Sequence, residues 1–216
     1  MSNFHVGLKK VVDDSYDIEI GYGLEEKLVE DLKNGLVVGL HKFAVVTDDI
    51  VKDLHAEKIC NLLTEAGFTA QLFVFPNGEK SKVRKTKEEV EDAMLAAGFR
   101  RDCCIIAVGG GVVTDLAGFV AGTFGRGIFN QPKKVYIDIA SWKTLPKRQL
   151  VSGLAETIKH ACMADSEFFA YLEEHMDDIF VFKPEVLEHV AEQNCRIKYE
   201  VVMKDELEKS LREILN

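Results

Sequence analysis

The stretch Cys103–Gly127, CCIIAVGGGVVTDLAGFVAGTFGRG, decides how the rest of the chain is read. Its first six residues, Cys103 to Val108, are mostly apolar and partly β-branched. That is the composition of a strand buried on both faces. Three glycines follow, Gly109, Gly110 and Gly111. The next run, VVTDLAGFVAGTF, mixes apolar with small residues and reads as a helix packed close to its neighbours. Strand, glycine turn and buried helix together bring a phosphate against backbone N–H groups at a helix N-terminus. Glycine keeps Cβ atoms out of the ligand's path. Asp115 is expected in the helix's first turn, where a carboxylate either complements the dipole or accepts from a ligand hydroxyl. The spacing is not G-x-G-x-x-G, so a tight strand–helix turn with no ligand is an equally open reading.

The chain has 216 residues, 47% of them hydrophobic, enough for one large or two small domains with a real core. A net charge of −9 argues against a nucleic-acid surface and against a polybasic membrane anchor. No run of about 18 apolar residues exists to span a bilayer, and MSNFHVGLKK lacks an apolar signal core. The five cysteines, Cys60, Cys103, Cys104, Cys162 and Cys195, have no zinc-type C-x-x-C spacing. A reducing cytoplasm is expected.

Working outward, Val6 to Val12 and Tyr16 to Ile20 read as strands, joined as a hairpin through Asp13-Asp14-Ser15. Leu24 to Lys33 reads as a helix. FAVVT, Phe43 to Thr47, reads as a parallel-type strand followed at once by Asp48 and Asp49. Carboxylates there sit where open α/β sheets bind ligands. The plainer reading, that one of them caps the helix Ile50 to Gly67, falls more on Asp49 than on Asp48. Gln71 to Phe75 is a further strand, emptying into PNGEKSK with Glu79 and Lys82, and Gly98 ends the helix that follows. Lys134 to Ile139 is expected as the next strand of the same parallel sheet, with helices on both faces. From Ala140 onward only helices are expected: Leu150 to Met163, then Glu167 to His175 capped by Ser166, then a long one with Pro184 near its first position.

The residues now collected resemble 3-dehydroquinate synthase and its sugar-phosphate cyclase relatives. The pieces that carry the resemblance are TDDIVKDL from Thr47, PNGEKSK from Pro76, the glycine stretch, SWKTLP from Ser141, GLAETIKHACMAD from Gly153 and IKYEVVMKDELEKSLREILN from Ile197, in the family's order. The resemblance implies an α/β fold: an NAD-binding, parallel-sheet domain over residues 1–140, shortened near 127–130, and a partial all-α domain over 141–216. It implies NAD and a divalent metal, zinc or cobalt, as cofactors. The substrate would be a small anionic sugar phosphate, and homodimers are usual. Carried over by motif, Asp48, Glu79, Lys82, Gly110, Gly111 and Asp115 would contact NAD, with Ser141, Lys143 and Thr144 beside its nicotinamide half. Arg126, Lys159, Lys198, Arg212 and Asn216 would hold the substrate, with Arg126, Lys159 and Glu208 in catalytic roles and Glu156 as a metal ligand. A cationic cluster suits an anionic substrate and a leaving phosphate. Each residue also has a dull reading: Glu156–Lys159 as a surface pair, Lys198 as a solvated stem, Arg212 as a dipole partner.

Two departures from the family stand out. Arg126-Gly127 is followed at once by IFNQPKKVYID, where the family has a long stretch with a strand, a D-S-S-V-G-G-K-T loop and a K-N motif that supply NAD contacts and catalytic lysines. The sequence ends at Asn216, where the family continues into metal-binding histidines, and none of His5, His41, His55, His160, His175 and His189 matches those positions. One carboxylate does not make a catalytic zinc site, which takes about three protein ligands. Three functional readings follow. The first is a dehydroquinate-synthase-type carbon–oxygen lyase of the shikimate pathway, or a related cyclase such as 2-epi-5-epi-valiolone synthase. The second is a non-catalytic NAD-binding remnant of one. The third is a metal-dependent polyol dehydrogenase, against which GLAETIKHA and the Lys/Arg cluster argue. The expectation is that these residues alone do not catalyse the parent reaction.

Overall fold

The computed structural model describes residues 15–124 and 132–204. The chain divides into two compact units, Met1–Ile18 with Val29–Val135, and Glu19–Leu28 with Tyr136–Asn216. Strand β1, Asp17–Gly21, is followed by helix α1, Leu24–Lys33, with Glu25 and Glu26 in its first turn and Lys33 in its last, as the helix dipole favours. Then come β2, Lys42–Asp48, a π-helical turn over Lys52–Ala56, and α2, Glu57–Glu65. Next are β3, Thr69–Phe75, a single 3₁₀ turn over Glu79–Ser81, and α3, Arg84–Ala96. The glycine stretch forms β4, Cys103–Ala107, and α4, Gly111–Thr123. Strand β5 is Lys134–Asp138, and a 3₁₀ helix spans Ile139–Thr144. The rest is helical: α5, Lys147–Ala164, α6, Ser166–Glu174, α7, Met176–Phe180, and α8, Pro184–Lys204.

In the first unit β3, β2 and β4 form a three-stranded parallel sheet in that order. Strand β2 is central, with Phe43 to Thr47 all buried. Its Ala44 and Val46 join Phe73 and Phe75 of β3 against Val90 and Met94 of α3 and Val113, Leu116 and Val120 of α4. The alternate residues, Phe43 and Val45, are equally buried on the other face. Each such side chain contributes about 1.5–3 kcal/mol on leaving water. Gly98 ends α3 as expected: its N–H donates to Leu95 O, and Phe99 N–H donates to Met94 O, at 3.1 and 2.9 Å.

Two expectations are corrected. Strand β4 is half-buried rather than buried on both faces, because among the described residues it has a strand neighbour on one edge only. Strand β5 does not extend the parallel sheet; it pairs with β1 in a separate two-stranded sheet. The partner expected for β1, Val6 to Val12, lies outside the described residues.

The second unit packs Ile139, Leu154 and Ala161, Phe168 and Leu172, Ile179, and Leu187, Val190 and Ile197 into one core. Among its described residues no strand follows β5, in line with the sequence reading. Pro184 is the first residue of α8, where its missing N–H leaves no bond unmade. The cap of α6 is Asp165 rather than Ser166: its Oδ1 accepts from Glu167 N and Phe168 N, at 3.1 and 2.9 Å. Among the described residues no helix is long and apolar enough to cross a membrane.

Candidate functional site

The glycine turn opens at the C-terminal edge of the parallel sheet. Val108 N–H continues the β2–β4 ladder to Val46 O, and the buried Thr47 hydroxyl donates to Val108 O at 2.8 Å. Gly109 has φ +156°, and a Cβ built there would sit 2.5 Å from Cγ2 of Val113. Gly110 is extended and supplies no side-chain cap to α4. Among the described residues, a Cβ on Gly110 or Gly111 would meet nothing within 4 Å, so the space beside these two glycines at the start of the helix is open. A helix N-terminus without a side-chain cap beside open space is what a phosphate needs. An NAD pyrophosphate fits these residues.

Asp115 is the fifth residue of α4, beyond the first turn where the sequence reading had put it. It lies one turn on from Gly111 and on the same face. Its Oδ2 is 2.8 Å from the Lys82 ammonium, which is also 3.1 Å from Glu79 Oε1. Three residues expected to contact NAD are thus one ionic cluster, drawn from the PNGEKSK loop and from α4. Asp115 and then Glu79 raise the Lys82 pKa, which holds it as a cation.

The two carboxylates at the end of β2, Asp48 and Asp49, divide their work the other way round from the expectation. Asp48 caps: its Oδ1 accepts from Ile50 N and Val51 N at 3.0 and 2.8 Å. Asp49 instead accepts from the backbone and side-chain nitrogens of Asn77, at 2.9 and 2.8 Å. A capping carboxylate reaches the N–H groups two and three residues on, and the first such pair is Ile50 and Val51. Asp48 therefore has a local structural duty at the position where the resemblance puts a cofactor contact.

In the second unit, Ser141 and Thr144 donate within their own turn, to Asp138 O at 2.6 Å and Ser141 O at 2.7 Å. Their oxygens retain acceptor capacity. Lys143 is exposed on the same turn. Glu156 on α5 meets Lys198 on α8, Oε1 to Nζ 2.9 Å, so its direct partner is Lys198. The Lys198 hydrogen bond holds the Glu156 carboxyl below its ordinary range, and the charge of Lys159 pulls the same way. The structure thus brings Glu156, Lys159 and Lys198 into one electrostatic group. It adds two residues that the sequence reading missed. His160 is 1% exposed, its Nδ1 lies 2.8 Å from Asn194 Oδ1, and its Nε2 faces Glu156 Oε1 at 3.7 Å. The available signal was a histidine four residues from Glu156, on the buried face of α5 with Thr157 and Ala161. Arg126, Glu208, Arg212 and Asn216 lie outside the described residues.

Among the described residues no group of three or more His, Cys, Asp or Glu side chains stands ready to hold a metal ion. The described residues do not fit a catalytic zinc centre, and Glu156 is engaged by an ammonium.

Three aspartates make the fold acid-sensitive. Asp49, Asp102 and Asp165 lie below their ordinary value of 3.8, held there chiefly by the Asn77 hydrogen bond, the Lys42 hydrogen bond and the Phe168 N–H, respectively. A folded-state pKa below the unfolded one gives stability that is complete above the unfolded value and lost as pH falls through the folded value. The melting temperature is therefore expected to be flat down to about pH 5 and to fall below about pH 4. Asp165→Asn should make that fall shallower in a pH series of thermal unfolding curves.

The chain matches the family model "3-dehydroquinate synthase N-terminal" over residues 72–129 and "3-dehydroquinate synthase C-terminal" over residues 153–216. It is 35% identical over 236 residues to 3-dehydroquinate synthase of Thermoanaerobacter sp. (strain X514), covering 94% of this chain and 66% of that one. It is 38% identical over 209 residues to the 3-dehydroquinate synthase of Caldanaerobacter subterraneus subsp. tengcongensis, covering 81% of this chain and 59% of that one. The chain thus spans about three fifths to two thirds of these relatives' length. The 236-residue match is longer than the chain's own 216 residues, so the Thermoanaerobacter protein has residues inside the match that this chain lacks. Among solved structures, 2-epi-5-epi-valiolone synthase from Streptomyces hygroscopicus subsp. jinggangensis 5008, with NAD+ and Zn2+ bound, superposes with a TM-score of 0.79. It is 26% identical, over 98% of this chain and 67% of that one. The α/β fold, the two family matches and identities of 35–38% agree: the chain belongs to the 3-dehydroquinate synthase family.

Proposed function

We propose that the first unit binds NAD and that the second binds a small anionic sugar phosphate. Both derive from a carbon–oxygen lyase that oxidises a seven-carbon sugar acid phosphate, eliminates phosphate, re-reduces and closes a carbocycle. The observation that carries this reading is the Glu79–Lys82–Asp115 cluster in the unit whose glycine turn opens in front of α4. The uncapped N–H groups of α4 would take the pyrophosphate, Lys82 would add positive charge, and Asp115 and Glu79 would accept from hydroxyls. Bound NAD would supply the hydride acceptor. Lys159 and Lys198 would take the substrate's anionic groups, with Glu156 holding Lys198 in place.

This chain is proposed not to complete the reaction by itself. The family's catalytic lysines come from the internal stretch that the join after Gly127 omits, and the longer Thermoanaerobacter match supports that omission. The likeness to a valiolone synthase supports a second substrate reading within the same class, sedoheptulose 7-phosphate in place of the sugar acid phosphate. All five cysteines are free thiols, which suits a reducing cytoplasm.

The test is a phosphate-release assay on the purified chain with either sugar phosphate, NAD and zinc, beside an NAD titration. Saturable NAD binding with no phosphate release is expected. Phosphate release would overturn the inactivity, NADH formation from a simple alcohol would revive the dehydrogenase reading, and a flat titration would remove the cofactor site.

A further inference from the structure

The segment Pro76–Val83, which carries Glu79 and Lys82, leaves β3 and crosses the sheet edge before α3 begins. Most of its hydrogen bonds are internal. Ser81 N–H donates to Gly78 O, Lys82 N–H to Glu79 O and Val83 N–H to Ser81 O, at 2.8–3.1 Å, and the Ser81 hydroxyl donates to Pro76 O. Gly78, at φ +96°, makes the reversal that lets them close. Such a loop keeps its own shape but does not thereby hold its orientation to the glycine turn.

Asp49 supplies that orientation. Its N–H donates to Phe75 O at 3.0 Å, at the point where β3 ends. One oxygen of its carboxylate takes both donors of Asn77, the backbone N–H at 2.9 Å and the side-chain amide at 2.8 Å. The residue just beyond β2 thus grips the loop two positions before Glu79 and five before Lys82. From the other side, α4 reaches the loop through Asp115. Lys82 is held between a backbone-anchored loop and a helix whose N-terminus is the phosphate cradle.

We infer that Asp49 is a positioning residue for the cofactor site: it contacts no part of NAD and aims Lys82 at the glycine turn through Asn77. The inference rests on the NAD reading proposed above. The Asn77 donors hold the Asp49 carboxyl below its ordinary range, so the grip is made by a carboxylate at neutral pH. A loop released from it would sample orientations in which Lys82 misses the pyrophosphate.

The test uses the full chain, Asp49→Ala and Asp49→Asn, with NAD titrated by calorimetry and amide exchange followed over residues 77–83. Asp49→Ala is expected to weaken NAD binding about five- to tenfold and to speed exchange in the loop, as loss of one or two hydrogen bonds would do. Asp49→Asn keeps an acceptor oxygen and should stay within about twofold of the parent. In a Lys82→Ala background, Asp49→Ala should add nothing further. Unchanged exchange in Asp49→Ala overturns the grip. Faster exchange with unchanged affinity, or an effect that persists in full without Lys82, overturns the positioning role and leaves the NAD reading standing. Absence of NAD binding by the parent chain overturns both.

Discussion

Gly109→Ala is expected to lower stability by about 2–6 kcal/mol, at its upper end the whole stability of a marginal domain. The sum combines overpacking, about 1–3 kcal/mol, with an unfavourable backbone region, about 1–3 kcal/mol. It is large against the 5–15 kcal/mol by which a domain is usually stable. The new Cβ would lie 2.5 Å from Val113 Cγ2 and 2.8 Å from Val113 Cβ. Val113 cannot swing aside. It is fully buried against the sheet, and β-branching on a helix leaves it essentially one rotamer. Val113→Ala removes the two methyl groups but not the Cβ, so the double variant should recover part of the loss and the cycle should be non-additive. The two neighbouring glycines give the contrast. A Cβ on Gly110 or Gly111 enters empty space, so alanine there should leave the melting temperature within a few degrees of the parent. At Gly111, the first residue of α4, alanine is also the better helix former. Both should nonetheless weaken NAD, because the added methyl occupies the cradle. Thermal unfolding and NAD titration on the three variants separate the glycine needed for folding from those needed for the ligand. Equal stability losses at all three positions would contradict the assignment.

Lys82→Ala is expected to weaken NAD binding about ten- to hundredfold, the range for losing one hydrogen bond to a charged group. The variant removes the cation and leaves two acceptors behind. Glu79 and Asp115 then face each other's charge and that of the pyrophosphate with nothing between them. Lys82→Arg keeps the charge but not the point-like ammonium, and should fall between parent and alanine. Lys82 is one third exposed, so part of the effect is screened. Raising the salt should narrow the gap between parent and Lys82→Ala. An affinity indifferent to Lys82 at low salt would place the phosphate elsewhere.

Much of the helix layout could be read without coordinates, for reasons that stay local. Helix α1 shows its limits through charge, with Glu25 and Glu26 at one end and Lys33 at the other. Gly98 and Pro184 are helix boundaries because their own backbones demand it. The errors share a cause as well. Asp48 and Asp49, and Asp165 and Ser166, are adjacent pairs of cap-competent residues. Which member caps depends on where the chain enters the helix, and that is set by what each strand or helix packs against. Strand neighbours are also non-local: nothing within CCIIA says that it will have a single strand neighbour among the described residues, or within KVYID that its partner is DIEIG. The short α7 carries too few residues for a helical period to show. At the site, the glycine turn is legible from composition. The meeting of Lys82 with Asp115 spans 33 residues; the family resemblance puts each beside NAD but names no contact between them. His160 stands inside the quoted GLAETIKHACMAD but Asn194 belongs to no quoted piece, and only the packing of α5 on α8 brings the two together.

The function proposed above requires the first unit to hold a dinucleotide. Isothermal titration of the intact chain with NAD, run beside Gly111→Ala and Lys82→Ala, asks this directly. A saturable one-to-one isotherm for the parent, weakened in both variants with their folds intact, is the predicted result. No binding at millimolar NAD by a chain that gives a normal cooperative melt would contradict it.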